Sequence, residues 1–283
     1  MRAFRICMQN IRKWRANKRV IMCICFALLF TYYYTDGLRM LSDSLGLKMS
    51  PWIFPFLITF RYIKILFMAI VIFIFCDAPF IDSNQSYVVL RSGRRAWNTG
   101  QILYVFAGSF IYCIILLAGT ILLNIRHISW SNVWGKVLGV AATDVGKLDA
   151  LGKYYTTIRV PAIVVRYYSP AQAMFFAFLL MWLSYIFIGL LIYVLNIVTN
   201  TQVAGALVAG FLVLLTAFVD GVPLFNRFSP ISWNSLNNID VGGLTAYPRI
   251  TYVLGAYVVM IVLLIAITYV VLPKKEIIVR QEQ

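Results

Sequence analysis

Acidic side chains are scarce in this sequence. Ten stand against 25 lysines and arginines in 283 residues, and both glutamates, Glu276 and Glu282, lie near the C-terminal end. None of the eight aspartates falls in the middle of an apolar run, so a carboxylate proton relay or ion site within a membrane has no visible carrier. Histidine occurs once, as His127, which removes paired-histidine metal sites and histidine-dependent hydrolysis from consideration. No G-x-x-x-x-G-K-[ST] motif is present, so nucleotide phosphates are not bound by that route, and no catalytic group is evident. Cys7, Cys23, Cys25, Cys76 and Cys113 all fall in the N-terminal tail or in apolar runs, a distribution that indicates packing rather than a disulfide framework. Charged residues make up 12% of the chain, about half the quarter that a soluble domain carries.

What is abundant is apolar surface, at 61% of residues. The expected fold class is an all-α integral membrane protein forming a single transmembrane domain over 1–283. Six segments approach the roughly 20 residues needed to cross a bilayer: 19–36, 54–76, 102–123, 171–195, 203–219 and 250–272. The third carries no charge from Ile102 to Leu123. The first has a short apolar core and is completed by Thr31 and the run Tyr32, Tyr33, Tyr34, which suits a membrane interface. Eight of the nine prolines lie outside these segments; Pro55 would occupy the first turn of the second.

The +15 net charge is expected to face anionic lipid rather than nucleic acid, because no polar stretch is long enough for a nucleic-acid-binding module. With a cytoplasmic N-terminus, segments 1–18, 77–101 and 273–283 hold six, three and three lysines or arginines, with Arg19 at the first boundary. The three outer segments, 37–53, 124–170 and 220–249, hold ten over a greater length, so both termini are placed inside. No small-x-small cleavage signature follows Tyr34, so the first apolar run is read as a span rather than a signal peptide.

Within 1–18, Phe4, Met8, Ile11 and Trp14 recur at helical spacing among basic residues, predicting an amphipathic helix in the interface. The outer region 124–170 reads as interfacial helices, and 220–249 as either an outer loop or a re-entrant segment. Arg61 and Lys64 share one face of the second segment, either reaching toward headgroups or lining a substrate path. Gly205 with Ala209, and Ala206 with Gly210, allow close helix approach within the chain or across a dimer.

The stretch VVLRSGRRAWNTGQILY, residues 88–104, joins an apolar run to Arg91, Gly93, Arg94, Arg95 and Trp97. Arginine and tryptophan are the residue types favoured at binding hot spots. With the basic start, six spans and this pattern after the second span, the chain resembles the membrane subunit of a type-2 ATP-binding-cassette (ABC) transporter of bacteria. The resemblance implies a multi-pass permease in the bacterial plasma membrane that exports a peptide, a lipid or an amphipathic small molecule. It implies that Arg91, Gly93, Arg94, Arg95 and Trp97 couple to a separate cytoplasmic ATPase holding ATP and Mg, with no cofactor in this chain. A second permease subunit, identical or related, would complete the path. The alternative from a different class is a non-transporting scaffold or sensor whose basic hairpin binds lipid or a regulatory protein.

Overall fold

A computed structural model describes residues 2–79, 85–144, 158–243 and 245–272. Among these the chain is all-helical, with isolated bridges at Met49–Ile128 and Asp240–Arg249 in place of strands. Four helices are long and apolar enough to cross a membrane: α2 (Lys18–Leu45), α5 (Arg94–Leu122), α8 (Pro170–Thr199) and α11 (Ile250–Val271). Length and composition therefore mark a membrane protein. Between them lie α1 (Arg2–Lys13), α3 (Arg61–Phe75), α4 (Gln85–Ser92), α6 (Gly135–Thr143), α7 (Ala162–Tyr167), α9 (Ala204–Val219) and α10 (Pro223–Asn226).

The expected first span, 19–36, is longer than predicted. Asn17 caps α2 by accepting from the amides of Arg19 and Val20, and the helix continues to Gly46, whose φ of 61° turns the chain out. The extension is held by Arg39, which is buried. Its guanidinium donates to Thr35 Oγ1 at 2.9 Å, Asn124 Oδ1 at 3.0 Å and the Tyr32 carbonyl at 2.9 Å, and lies 3.9 Å from the Tyr32 ring centre. A guanidinium so fully bonded can leave water.

The expected second span, 54–76, is broken. Phe54–Phe56 form a 3-10 turn around Pro55, Phe60 is extended, and helix resumes only at Arg61. Residues Ile53 to Ile58 are nonetheless buried, so an apolar run that reads as span is a packed irregular segment. The resulting α3 has 15 residues and α9 has 16, about 22–24 Å each and short of a roughly 30 Å hydrocarbon core. The 273–283 tail, the whole of 145–157 and residues 80–84 lie outside the described residues.

Of the four long helices, α2 and α5 run one way and α8 and α11 the other. At the end carrying α1, here called proximal, Arg19 at the start of α2 pairs with Asp77 just past α3 at 2.5 Å. There too Asn98 near the start of α5 meets Tyr193 and Thr268 near the ends of α8 and α11. At the opposite, distal end, the tops of α2 and α5 meet through Arg39 and Asn124. The chain 124–134 is stitched there to 49–52: Met49 N to the His127 carbonyl, Ser129 N to the Met49 carbonyl, and Trp52 Nε1 to the Ser131 carbonyl. Helix α8 is the axis of the bundle, packing on α3, α5, α9 and α11. Its apolar window is 61% buried against 22% for α11, which leaves α11 peripheral.

Helix α1 departs from the interfacial helix expected over 1–18. Its inward stripe is Ile6, Cys7 and Asn10, packed along α5, while Phe4 and Met8 face outward. Asn10 donates to Gln101 Oε1 at 3.0 Å and Trp14 Nε1 to the Tyr104 hydroxyl at 2.6 Å. Gly100 makes this approach possible, since a Cβ there would stand 2.7 Å from Ile6 Cβ. Protein therefore takes the face that a polar Asn10 disguises in the sequence, and Phe4 and Met8 remain for the surroundings.

Candidate functional site

The expected coupling stretch lies at the proximal end as a bent pair of helices. Helix α4 ends at Ser92, whose hydroxyl donates to the Val88 carbonyl at 2.6 Å. Gly93 follows with φ 83°, a conformation that L side chains rarely adopt, and α5 begins at Arg94. Val88 and Val89 pack against the core, while Tyr87 and Leu90 are 68% and 81% exposed. Arg91, Arg94 and Arg95 are also exposed.

Trp97 does not belong to this surface. It is 1% exposed, buried in its own chain beside the start of α5, so it is not free to enter a partner's pocket. Tyr87 and Leu90 are the apolar groups presented there; in the sequence they are indistinguishable from the partly buried Val88 and Val89 without the helix phase.

The first turn of α5 runs against helix electrostatics. It contains Arg94 and Arg95 and no acidic residue, and no side chain caps it. Cations at a helix N-terminus oppose the macrodipole, at roughly 0.3–1 kcal/mol each. Directly beneath, Asn98, Thr99 and Asn196 are bonded across helices. Asn98 accepts from the Tyr193 hydroxyl at 2.7 Å and donates to Thr268 Oγ1 at 3.0 Å, and Thr99 meets the Tyr269 hydroxyl at 2.7 Å. Asn196 donates to the Ala78 carbonyl at 2.7 Å and accepts from Gly205 N at 2.8 Å, joining α8, the end of α3 and the start of α9. Burial alone would raise the Asp77 carboxyl, but the bonded Arg19 guanidinium outweighs it and holds Asp77 below the usual carboxylate value. The basic surface is thus mounted on a rigid polar lattice.

Arg61 and Lys64, on one face of α3, are both turned toward α9. Both clasp the C-terminal end of α9: Arg61 donates to the Ala217 carbonyl at 2.9 Å, and Lys64 forms an ion pair with Asp220. The Lys64 side chain is 1% exposed and that of Asp220 10%, so this is a buried charge pair. Among the small residues, Gly205 and Ala209 face inward: a Cβ at Gly205 would stand 2.5 Å from the Ile192 carbonyl oxygen. Ala206 is partly buried and Gly210 meets only open space. The Gly205–Ala209 pair is therefore an intrachain contact between α9 and α8.

A second polar region, at the distal end, falls within the 220–249 stretch expected as an outer loop or a re-entrant segment. Residues 226–240 fold back against α8 through 3-10 turns at Ser232–Asn234 and Leu236–Asn238. Trp233 is buried, donates to the Asn226 carbonyl at 2.6 Å, and stacks edge-on to Tyr257 at 5.5 Å. Tyr257, whose hydroxyl donates to the Pro230 carbonyl, sits seven residues into α11, about 10 Å along its axis. The segment therefore dips below the start of α11. Its sidedness is inverted relative to a soluble loop: Leu224, Phe225 and Phe228 face outward, while Asn226, Asn234 and Ser235 are buried.

Comparison with protein-family models, with curated proteins and with solved structures returned no match.

Proposed function

We propose that this chain is the membrane-embedded permease subunit of a transporter whose ATP-hydrolysing subunit is a separate cytoplasmic protein. In this reading α3 and α9 are short crossings that complete six spans, both termini are cytoplasmic, and the protein resides in a bacterial plasma membrane. The partner carries ATP and Mg, a second permease copy or relative closes the path, and the cargo is a peptide, a lipid or an amphipathic molecule.

The observation that carries the proposal is the α4–α5 corner. Tyr87, Leu90, Arg91, Arg94 and Arg95 are presented together at a glycine bend, and two of those arginines oppose the dipole of the helix they begin. An acidic groove on a partner would pair with exposed Arg91 and Arg95, and exposed Leu90 would give it an apolar anchor. Because α5 is one 29-residue helix from Arg94 onward, a push on this corner is delivered along the bundle without an intervening loop.

Tandem Arg94→Ala and Arg95→Ala substitution should reduce co-purification of the ATPase at least tenfold, with Leu90→Asp acting in the same direction. The measurement is the ratio of the two subunits after affinity capture from the native membrane. Capture of no stoichiometric ATPase by the unmodified chain would sink the proposal and favour the lipid-binding scaffold.

A further inference from the structure

Asn226, Asn234 and Ser235 are fully or almost fully buried, yet both amide atoms of each asparagine and the serine hydroxyl have no hydrogen-bond partner among the described residues. Buried carboxamides in folded proteins are bonded to protein or to ordered water. Several neighbouring polar groups are already engaged. Asn238 donates to the Ser232 carbonyl at 2.9 Å, and Asp240 accepts from the Gly243 amide at 2.9 Å and the Thr245 amide at 2.8 Å. Trp233 and Tyr257 bond to carbonyls of the same segment.

What is left over is neutral chemistry with donors and acceptors in both kinds: two carboxamides and a hydroxyl. A full charge finds no counter-charge among these three residues, and an apolar guest would leave every one of the atoms unpaired. We infer that the inner side of the 226–240 segment is a hydration site, binding ordered water between this segment and α8. Its outer side, with Leu224, Phe225 and Phe228, faces the hydrocarbon. Irregular backbone at membrane depth is tolerated where it is buried in protein or lines a wet cavity, and both conditions then hold here. This inference stands independently of the ATPase partner.

Two measurements on the full-length protein in lipid nanodiscs test it. Asn226→Leu and Asn234→Leu replace each amide by an apolar side chain of similar size. If the amides bind water, each change strands that water's other partners, and the melting temperature falls by roughly 3 °C or more. If the amides were dry, the same changes would raise it, and a rise would overturn the site. The second measurement needs no variant: radiolytic hydroxyl footprinting, in which bound water oxidises adjacent aromatic rings. Trp233 should be oxidised at least fivefold faster than Trp97, although the two are 3% and 1% exposed. Equal, slow oxidation of both tryptophans would refute the hydration site.

Discussion

Replacing Gly205 by alanine tests the packing of the bundle at one contact. The added Cβ would stand 2.5 Å from the Ile192 carbonyl oxygen and 2.7 Å from Ile192 Cα, both backbone atoms of α8. Ordinary contact begins near 3.4 Å, so α9 must retreat by the better part of an ångström. Overpacking of this kind costs about 1–3 kcal/mol. The retreat also stretches the 2.8 Å bond from Gly205 N to Asn196 Oδ1, a further ~1 kcal/mol. Against this stands the helix preference for alanine, at most about 1 kcal/mol and less in a first turn. The clash prevails by about 2–3 kcal/mol, which lowers the melting temperature by roughly 4–10 °C at this chain length. Gly210→Ala is the control, because its Cβ meets nothing within 4 Å and should leave stability unchanged or slightly raised. Thermal unfolding of the two purified variants in one detergent separates them. A Gly205→Ala melt within 1 °C of the parent would refute the described α8–α9 contact.

The Lys64–Asp220 pair should show strong non-additivity. Asp220→Leu alone leaves a buried ammonium and destabilises by roughly 3–5 kcal/mol, whereas the double variant with Lys64→Met recovers most of that loss. Equal melts for the single and double variants would remove the pair from the account. The Arg19–Asp77 pair predicts a pH effect with a definite sign. Because the folded Asp77 carboxyl is held below 3.8, its contribution is present above that value and disappears as pH falls through the lower folded value. The pair is a third to a half exposed, so the effect is under about 1 kcal/mol. The parent and Asp77→Asn should therefore differ slightly at pH 6 and converge below pH 3.8; a gap that widens on acidification would contradict the pairing.

Sequence reading found the long crossings because an uninterrupted apolar run has few alternatives: Ile102 to Leu123 can hardly be anything but a helix in lipid. It failed where partners lie far along the chain. Arg39 looks like a residue of an outer loop until Asn124, 85 positions away, supplies an acceptor. The run from Ile53 to Ile58 is as apolar as a span, and only the bend at Phe60 shows that a 3-10 turn fills the same space. Trp97 beside two arginines suggests an interface, but its burial follows from the folding of the chain around it. The Arg61 and Lys64 pairing was legible as one helix face, and its target, the end of α9, was not. Masking by Asn10 likewise hid the stripe of α1 that packs on α5, since a polar residue counts against an apolar face unless its partner Gln101 is known.

The Asn98–Asn196 cluster at the proximal end and the 226–240 segment at the distal end differ in how their buried amides are used, and that contrast bears on how the molecule works. At the proximal end Asn98 and Asn196 tie four helices together, Asn98 through both of its amide atoms and Asn196 through both of its own. A network satisfied within the protein resists relative motion, because moving any helix leaves a buried group unpaired. Distally, the side-chain amides of Asn226 and Asn234 bind nothing among the described residues, and their segment contacts α8 largely through Trp233 and its neighbours. Water-mediated contacts tolerate displacement, since a water can reorient or leave. Movement begun at the α4–α5 corner would then pass through a stiff proximal lattice and be released at the distal segment, where the few direct bonds are easiest to exchange. Under the proposed function, substitutions at Asn98 should act on the whole bundle, lowering the melting temperature and the response of the proposed ATPase partner together. Those at Asn234 should alter local oxidation of Trp233 while leaving capture of the ATPase intact. A variant of Asn234 that lost the ATPase would show the two ends to be one rigid unit.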